Sequence, residues 1–491
     1  MSAFFSGLRR SAALAALLSF LWPGLGQGWV GAGLRAVFFA TPIILLAIGG
    51  VLLVLAEGAA RVAGLVVQRD IAYGLLAINF GVLIYRLAAI ADAYRLARVR
   101  WPAAAGAKRV VSAALLVILM IVTVGMHAAI GYVGYDAYAT TAAIFHTPDP
   151  GTPTPIPSLA SLAPDATPTA IPTPGPTPGP AWAADGRLNI LLVGGDAGPG
   201  RWSLRTDTLE LLSIEISTGR AALFGIPRNL YNVPLPDGPA QHFKCRCFNP
   251  PGLPLGDRLI NALFVYAQAH PEIFPGSDEV RGYQAVQGAV QEMMGLTIDG
   301  QLVVTLNGFV RLVDAFGGLD ITTPTAVYDS HYPLPNGSGS IVVSIPAGKH
   351  HFTGTVALEY ARSRHGTNDY YRMRRQQLVL VALRQQINPC SIIVRIPELL
   401  SIAKDSLWTN LPIEALPDIL ALGARVKSSE IARQLLWPPY IAEELGTLAL
   451  MRIHQIAANP FNDLPVSTPV PATTPGPSGA PAPTPGSSGG C

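Results

Sequence analysis

A chain of 491 residues, half of them hydrophobic and only 13% charged, is long enough for more than one domain and too apolar for a single soluble globule. Its mean hydropathy of +0.36 points to membrane segments joined to a soluble part. The formal net charge of +3 is too small to support nucleic-acid binding, and the basic residues are divided between membrane flanks and one interior stretch.

Residues 1–134 read as a helical membrane region with about three spans. Val37–Ala56 is apolar apart from Thr41, Ile71–Ala91 is interrupted only by Asn79 and Arg86, and Val110–Val133 is the cleanest run. Each is long enough to cross a bilayer. Ser11–Trp22 is apolar but short, and Pro23, Gly24, Gly26 and Gly28 follow it. It reads as a re-entrant or interfacial segment, with a fourth span as the alternative. Arg95, Arg98, Arg100, Lys108 and Arg109 precede the third run, and Arg9 and Arg10 lie at the N-terminus. The positive-inside rule puts both groups in the cytoplasm and everything after residue 134 outside. The expected location is therefore the cell membrane, multi-pass, with the C-terminal domain extracytoplasmic. A cleavable signal peptide is not expected, because the apolar segments continue well beyond one.

Residues 135–186 read as an extracytoplasmic linker. Their central part, 147–181, is rich in Pro, Thr and Gly with almost no charge. Such composition buries no core and favours extended polyproline II. Residues 463–491 have a similar composition and read as a disordered tail.

Residues 187–462 read as the soluble domain. LNILLVGG (188–195) is an apolar run ending in glycines, as a buried strand feeding a loop does. TLELLSIEI and RAALFGI flank Ser217-Thr218-Gly219 and predict a hairpin. VRGYQAVQGAVQEMM carries Tyr283, Val286, Val290 and Met293 at helical spacing. GFVRLVDAF (308–316) predicts a helix capped by Asn307 and stopped by Gly317-Gly318. A strand around Leu319–Thr322 and a polar loop over 329–340 follow, and PELLSIAKDSLW and LPDILALGARV read as further helices. The expected class is α/β: a sandwich with a central, mostly β-sheet flanked by helices.

The stretch 356–377, VALEYARSRHGTNDYYRMRRQQ, holds Arg362, Arg364, Arg372, Arg374 and Arg375, offset only by Glu359 and Asp369. ALEYARSR reads as a buried strand on which Arg362 and Arg364 point the same way. From Tyr371 the stretch reads as a helix with Arg372, Arg375 and Gln376 on one face. Arginine forks match the oxygens of a phosphate. The stretch therefore predicts a phosphate or pyrophosphate site, with a solvated basic face as the alternative. Two carboxylates stand at strand junctions, Asp196 directly after LLVGG and Asp207 just before the next strand. They can converge on a hard cation such as Mg²⁺, or each can simply cap a turn. Arg205 and Arg228 lie nearby in sequence, completing a plausible cation-and-diphosphate centre.

Four blocks carry a family resemblance: NILLVGGDAG with LRTDTLELLSI; FGIPRNLYNVPLP; TLNGFVRLVDAFGGLDI; and IPAGKHHFTGTVALEYARSRHGTNDYYRMRRQQ. From about Asn189 to about Pro439 the domain resembles the LytR-CpsA-Psr (LCP) family of extracytoplasmic glycopolymer ligases. The resemblance implies a membrane-anchored phosphotransferase that moves a glycopolymer from a polyprenyl (pyro)phosphate carrier to peptidoglycan. It implies Asp196 and Asp207 as acids associated with Mg²⁺, or with Mn²⁺. It implies Arg205, Arg228, Arg362, Arg364, Arg372 and Arg375, with Gln376 beside them, as pyrophosphate ligands. Asp369, with Asp196, becomes a candidate for steering or activating the acceptor hydroxyl. The expected partners are the polyprenyl-(pyro)phosphate-linked glycan, a peptidoglycan acceptor and the membrane, with no nucleic acid.

The chain departs from the family pattern in three places. Asn229 stands where the family often has an acid after Ile-Pro-Arg. Arg201 follows the first aspartate late. Arg258, in Arg258-Leu259-Ile260-Asn261, takes the place of a family lysine in a shifted register, so it joins the pyrophosphate candidates. Cys245 and Cys247 are close in sequence, and Cys390 is the expected disulfide partner of one of them outside the cell; with His242 they form a minor metal-site candidate. His350, His351 and His365 read as hydrogen-bonded or surface residues. No GxSxG, HExxH or P-loop pattern occurs. Two other readings remain open: a polyprenyl-pyrophosphate phosphatase, and a non-catalytic lipid-phosphate-binding cell-wall regulator.

Overall fold

The computed structural model describes residues 11–102, 107–145, 185–195, 206–278, 280–334, 339–364, 368–386, 395–438 and 441–461. The readings made for residues 146–184 and 462–491, and for Asp196, Arg201, Arg205, His365 and Cys390, lie outside the described residues.

The N-terminal part opens with α1 (Ala12–Leu21) and α2 (Leu25–Trp29). Then come α3 (Gly33–Glu57), the short α4 (Ala59–Leu65), α5 (Arg69–Arg100) and α6 (Ala107–Ile144). Helices α3, α5 and α6 are long and apolar enough to cross a membrane. Helix α1 has 10 residues, about 15 Å of rise, half of what a crossing needs. It buries Ala12, Ala15 and Ala16 against Ile90, Ala93, Tyr94 and Ala97 of α5, so it folds back on the bundle. Helix α6 runs to Ile144, into the stretch read as linker.

The soluble part is built on a six-stranded mixed sheet, order β11-β6-β1-β2-β3-β12. Its strands are β1 (Arg187–Gly195), β2 (Thr206–Glu215), β3 (Ala221–Gly225), β6 (Gly300–Thr305), β11 (Leu407–Thr409) and β12 (Ala432–Leu435). Strands β1, β2 and β3 pair antiparallel in turn, and β6 and β12 join parallel. Two-stranded ribbons flank it: β4 (Val233–Pro234) with β5 (Cys247–Phe248), β7 (Leu319–Thr323) with β10 (Gly348–Phe352), and β8 (Val327–Pro333) with β9 (Ser340–Ile345). The helices are α7 (Ile260–Ala269), α8 (Arg281–Met294), α9 (Leu306–Ala315), α10 (Gly354–Arg362), α11 (Asp369–Gln386), α12 (Ile396–Ser406), α13 (Leu416–Arg425) and α14 (Thr447–Ala458).

Alternation along the central strands explains both faces of the sheet. Leu191, Val193, Leu209, Leu211, Phe224 and Val303 point to one face and pack under α7, α8 and α14. Leu188, Ile190, Ile214 and Ala221 point to the other and pack with Leu411, Leu422 and Val426 around α13. A separate cluster holds α9, α10 and α11 against the β7–β10 and β8–β9 ribbons. Burying an aromatic or branched side chain fully stabilises by about 1.5–3 kcal/mol, so the sheet is gripped from both sides. The α/β sandwich is as expected.

Four local expectations are corrected. ALEYARSR is not a strand: α10 buries Gly354, Ala357, Leu358 and Ala361, an i, i+3, i+4, i+7 pattern. Its N-cap is Thr353, whose hydroxyl accepts from Val356 N at 3.4 Å. Gly354 is demanded by packing, since a Cβ there would lie 2.1 Å from the Val310 carbonyl oxygen on α9. Helix α9 is capped by Thr305, not Asn307: the Thr305 hydroxyl accepts from Gly308 N at 3.1 Å, two residues earlier than expected. Gly317 and Gly318, with φ of 85° and 97°, do stop it. Residues 329–333 continue β8 and Ser340 opens β9: Val327 and Asp329 alternate inward, and a register shift between Asp329 and Tyr332 turns Tyr332 inward as well, against Val343 and Ile345 of β9. Finally, Cys245 and Cys247 are bonded to each other. Arg246 between them takes a positive φ of 55°, which brings the two Cα atoms to 5.0 Å, inside the range a disulfide needs.

Candidate active site

The site forms where the N-terminal end of β2 meets the N-terminal end of α11 and the C-terminal end of α10. Asp207 lies at the second position of β2 and is about one-third exposed. Asp369 opens α11, where a carboxylate is favoured by the helix dipole. Arg228 follows β3 and ties the two acids together: its Nη1 lies 2.6 Å from Asp207 Oδ1 and its Nε 3.6 Å from Asp369 Oδ1. Arg372, one turn into α11, places Nη2 2.8 Å from Asp369 Oδ1 and donates to the Asp207 carbonyl oxygen at 3.2 Å. Gln376, the next turn, donates to the Thr208 hydroxyl at 2.8 Å. Helix α11 is thus sewn to β2 by the polar side chains that also face the pocket.

The pocket itself holds about 560 Å³ of empty space, counting its mouth. Asp207, Thr208, Arg362, Arg364, Arg372 and Gln376 line it, together with Gly194, Leu306, Asp329, Tyr332 and Pro333. Arg362 ends α10, and its guanidinium stands over the Tyr332 ring at 5.9 Å. Arg364 is held by its backbone, whose N–H donates to Asp329 Oδ2 at 2.8 Å. The strand reading failed, yet Arg362 and Arg364 still converge, because a helix end and the residue two beyond it open into one cavity.

Four buried polar atoms here have no hydrogen-bond partner among the described residues: Arg362 Nη1, Arg372 Nε, Asp369 Oδ2 and the Tyr332 hydroxyl. A buried group without a partner costs on the order of 1–3 kcal/mol, more when charged. Their clustering argues that a ligand completes them. Burial pushes the Asp369 carboxyl above the ordinary range, even though Arg372 and Arg228 pull it down and Asp207 pushes it further up. Burial likewise pushes the Arg372 guanidinium down to about 10, against the pull of Asp369.

Two sequence candidates are placed elsewhere. Arg375 leaves the shared face with Arg372: its Nε donates to the Tyr360 carbonyl at 2.8 Å and its Nη2 to the Ser363 carbonyl. It therefore caps the end of α10, because the 3.6-residue helical repeat separates i+3 from i+4 enough to face different neighbours. Arg258 donates to Asn249 Oδ1 at 3.1 Å and does not line the pocket. Asn229 Nδ2 donates to Glu443 Oε1 at 2.7 Å, a hydrogen bond to a carboxylate that an aspartate there would turn into repulsion. Asp329, Tyr332 and Thr208 were missed by the sequence reading. The signal for the first two was Asn336-Gly337 between two alternating runs, a strong hairpin pattern.

Below the pocket, Glu210 of β2 is fully buried, with Oε2 accepting from Gln377 Nε2 at 3.1 Å. Burial raises its carboxyl from 4.5 to about 8. The folded chain therefore holds a proton that the unfolded chain releases above the ordinary glutamate range. The associated stability is complete at low pH and is lost as pH rises through about 8. Melting temperatures followed from acidic to mildly alkaline pH are expected to fall in the parent chain, and Glu210→Gln is expected to flatten that fall.

The LytR_cpsA_psr family model matches residues 165–435, more than half of the chain. Among curated relatives, Biofilm regulatory protein A of Streptococcus mutans is 24% identical over 248 residues, covering 49% of this chain and 54% of the relative. The polyisoprenyl-teichoic acid–peptidoglycan teichoic acid transferase TagU of Oceanobacillus iheyensis is 28% identical over 242 residues, covering 48% of this chain and 64% of the relative. The chain thus spans between about half and two-thirds of the length of these relatives. Among solved structures, B. subtilis TagV superposes with a TM-score of 0.40 at 20% identity, covering 57% of this chain and 98% of that one.

Proposed function

This chain belongs to the LytR-CpsA-Psr family, and from that premise we propose that it is a membrane-anchored phosphotransferase acting outside the cytoplasm. It takes a glycopolymer from a polyprenyl-pyrophosphate carrier and attaches it to peptidoglycan. The observation that carries the reading is the group of unpartnered buried atoms: Arg362 Nη1 and Arg372 Nε, of two arginines that line one pocket, and Oδ2 of Asp369, which is paired with Arg372. Two cationic forks and one carboxylate are what a diphosphate and an attacking hydroxyl would satisfy. The relative TagU, by its name, transfers teichoic acid to peptidoglycan.

In this reading Arg362, Arg364 and Arg372 hold the diphosphate. Gln376, fixed on Thr208, contributes an amide at the pocket wall. Arg228 orients both acids and stays paired with them. The acceptor hydroxyl attacks the phosphorus nearer the glycan and gives its proton to Asp369 Oδ2. The bond from that phosphorus to the bridging oxygen breaks, and polyprenyl monophosphate leaves. The arginines meet the charge that grows on the leaving phosphate.

Among the described residues no group of three acidic, histidine or cysteine side chains could hold a metal ion; the donors present are the partly exposed Asp207 carboxylate, paired with Arg228, and the buried, unpartnered Asp369 Oδ2. Asp207 would hold Mg²⁺ or Mn²⁺, with Asp196 as the expected second acid. Such an ion, when bound, neutralises charge on the transferring phosphates.

The outer placement rests on the basic residues Arg95, Arg98, Arg100, Lys108 and Arg109 between the second and third apolar helices. The test is to incubate the full chain in vesicles with a prenyl-pyrophosphate glycan, Mg²⁺ and peptidoglycan fragments. Glycan joined to the fragments is the expected product. Free glycan phosphate and lipid monophosphate alone would make it a phosphatase, and binding without turnover a regulator. Asp207→Ala is expected to abolish the Mg²⁺-dependent part of turnover while leaving the fold intact.

A further inference from the structure

One anchoring helix would be enough to hold a domain at a membrane, and among the described residues three are long enough. Between the first two lies the seven-residue helix α4, and it packs on the soluble domain. Gly64 sits directly on Pro417 of α13: a Cβ at position 64 would lie 2.5 Å from Pro417 Cα. Arg61 Nη1 lies 2.8 Å from Asp418 Oδ1. Gln68 Nε2 donates to the Ile413 carbonyl at 2.7 Å. The third long helix adds a separate contact, where Phe145 bridges Thr409 of β11 and packs into the cluster of Leu188, Leu411 and Leu422.

These contacts fall on one face of the central sheet, the face covered by α13, and leave α7, α8 and α14 on the other. They also reach the pocket. Helix α6 packs on α12, α12 packs on α9, and Leu306 at the start of α9 lines the cavity. A Pro-rich tether as long as the segment between Phe145 and Asp185 can reach on the order of 100 Å. The covalent connection alone therefore sets neither the height nor the orientation of the site.

We propose that α4, with the first two long helices behind it, is a seat for α13, fixing the pocket over the membrane from which a lipid-borne diphosphate is drawn. The half-buried Arg61–Asp418 pair, still open to solvent, adds little affinity, since ion pairs near the surface contribute about 0–1 kcal/mol. Its use is to set register, while the close fit of Gly64 on Pro417 does the packing. The seat itself stands on these contacts; its effect on turnover rests on the proposed transferase activity.

The test uses the full chain in native membranes, with Cys390→Ser and Cys491→Ser, a protease site inserted in the 146–184 segment, and cysteines introduced as Arg61→Cys with Asp418→Cys. A short bis-maleimide is expected to keep the two cleaved fragments joined on a gel. Arg61→Cys with Leu448→Cys, on exposed α14 at the opposite face, is expected to leave them separate. Separation of the first pair, or joining of both pairs alike, would overturn the seat. Gly64→Leu is then expected to abolish the cross-link and to slow transfer from a bilayer-embedded donor about tenfold or more, the order of effect when a set geometry becomes a loose tether. It should leave turnover of a detergent-dispersed short-chain donor unchanged. Equal turnover in bilayers would overturn the positioning role. If no donor is turned over in either assay, the transferase reading falls, and the cross-link still decides the seat.

Discussion

Asp369→Asn is expected to lower transfer by about 10²–10⁴-fold, the range a positioned general base supplies, with donor affinity unchanged or tighter. The residue sits between Arg372 and Arg228, which should favour its charged form, yet burial outweighs them and raises its carboxyl. A base so placed can hold the acceptor's proton while Oδ1 stays locked to the arginines. Oδ2 is the atom left to act, being buried without a partner. The sign of the pH dependence follows. Turnover should rise with pH as Asp369 loses its proton, at a pH above that of an ordinary aspartate, and the Asn variant should lose this limb of the profile. An Asn variant that keeps both full turnover and the limb would remove Asp369 from the proton-transfer role. Asparagine retains the size and one acceptor oxygen, so the pairing with Arg372 weakens without emptying the space.

Arg362→Ala and Arg375→Ala are expected to fail in opposite ways, although both arginines lie in the same basic stretch. Arg362 Nη1 has no partner in the described structure, so its removal costs the fold little beyond the contact with Tyr332, about 0.5–1 kcal/mol. Donor binding should weaken about ten- to a hundredfold, given about 1.5–3 kcal/mol per charge-assisted bond. Arg375 instead satisfies the Tyr360 and Ser363 carbonyls at the end of α10. Its truncation should destabilise the domain by about 2–4 kcal/mol, because two buried acceptors lose charged donors. Calorimetric binding of a short-chain prenyl pyrophosphate, set beside thermal melts of both variants, separates the two. Normal binding by Arg362→Ala would sink its role as a phosphate ligand. An unshifted melt for Arg375→Ala would sink its role as a cap.

These paired outcomes show where residue order was informative. The apolar β1 run ending in glycines, the β2–β3 hairpin at Ser217-Thr218-Gly219 and the apolar helices follow from period and turn chemistry, which are local. The chemistry of the site was legible as charge, since Asp207, Arg362, Arg364 and Arg372 line one cavity and Asp369 pairs with Arg372. Its geometry was less so. ALEYARSR suits either period over so short a run, and packing of Gly354 on Val310 decided for helix. Arg375 could not be told from Arg372 without knowing that the end of α10 stood opposite it. Pairing of Cys245 with Cys247 needed the positive φ at Arg246, a backbone state that residue type disfavours. Docking of α4 on α13 joins positions more than three hundred residues apart, and no local pattern marks either partner.

The most direct measurement is a structure of the full chain in a lipid environment with a non-transferable prenyl-pyrophosphate glycan bound. The expected result places the diphosphate among Arg362, Arg364 and Arg372, with Asp369 Oδ2 facing the side from which an acceptor hydroxyl can attack. A diphosphate bound elsewhere, with Arg362 Nη1 and Arg372 Nε still unpartnered and the pocket free of ligand, would contradict the account.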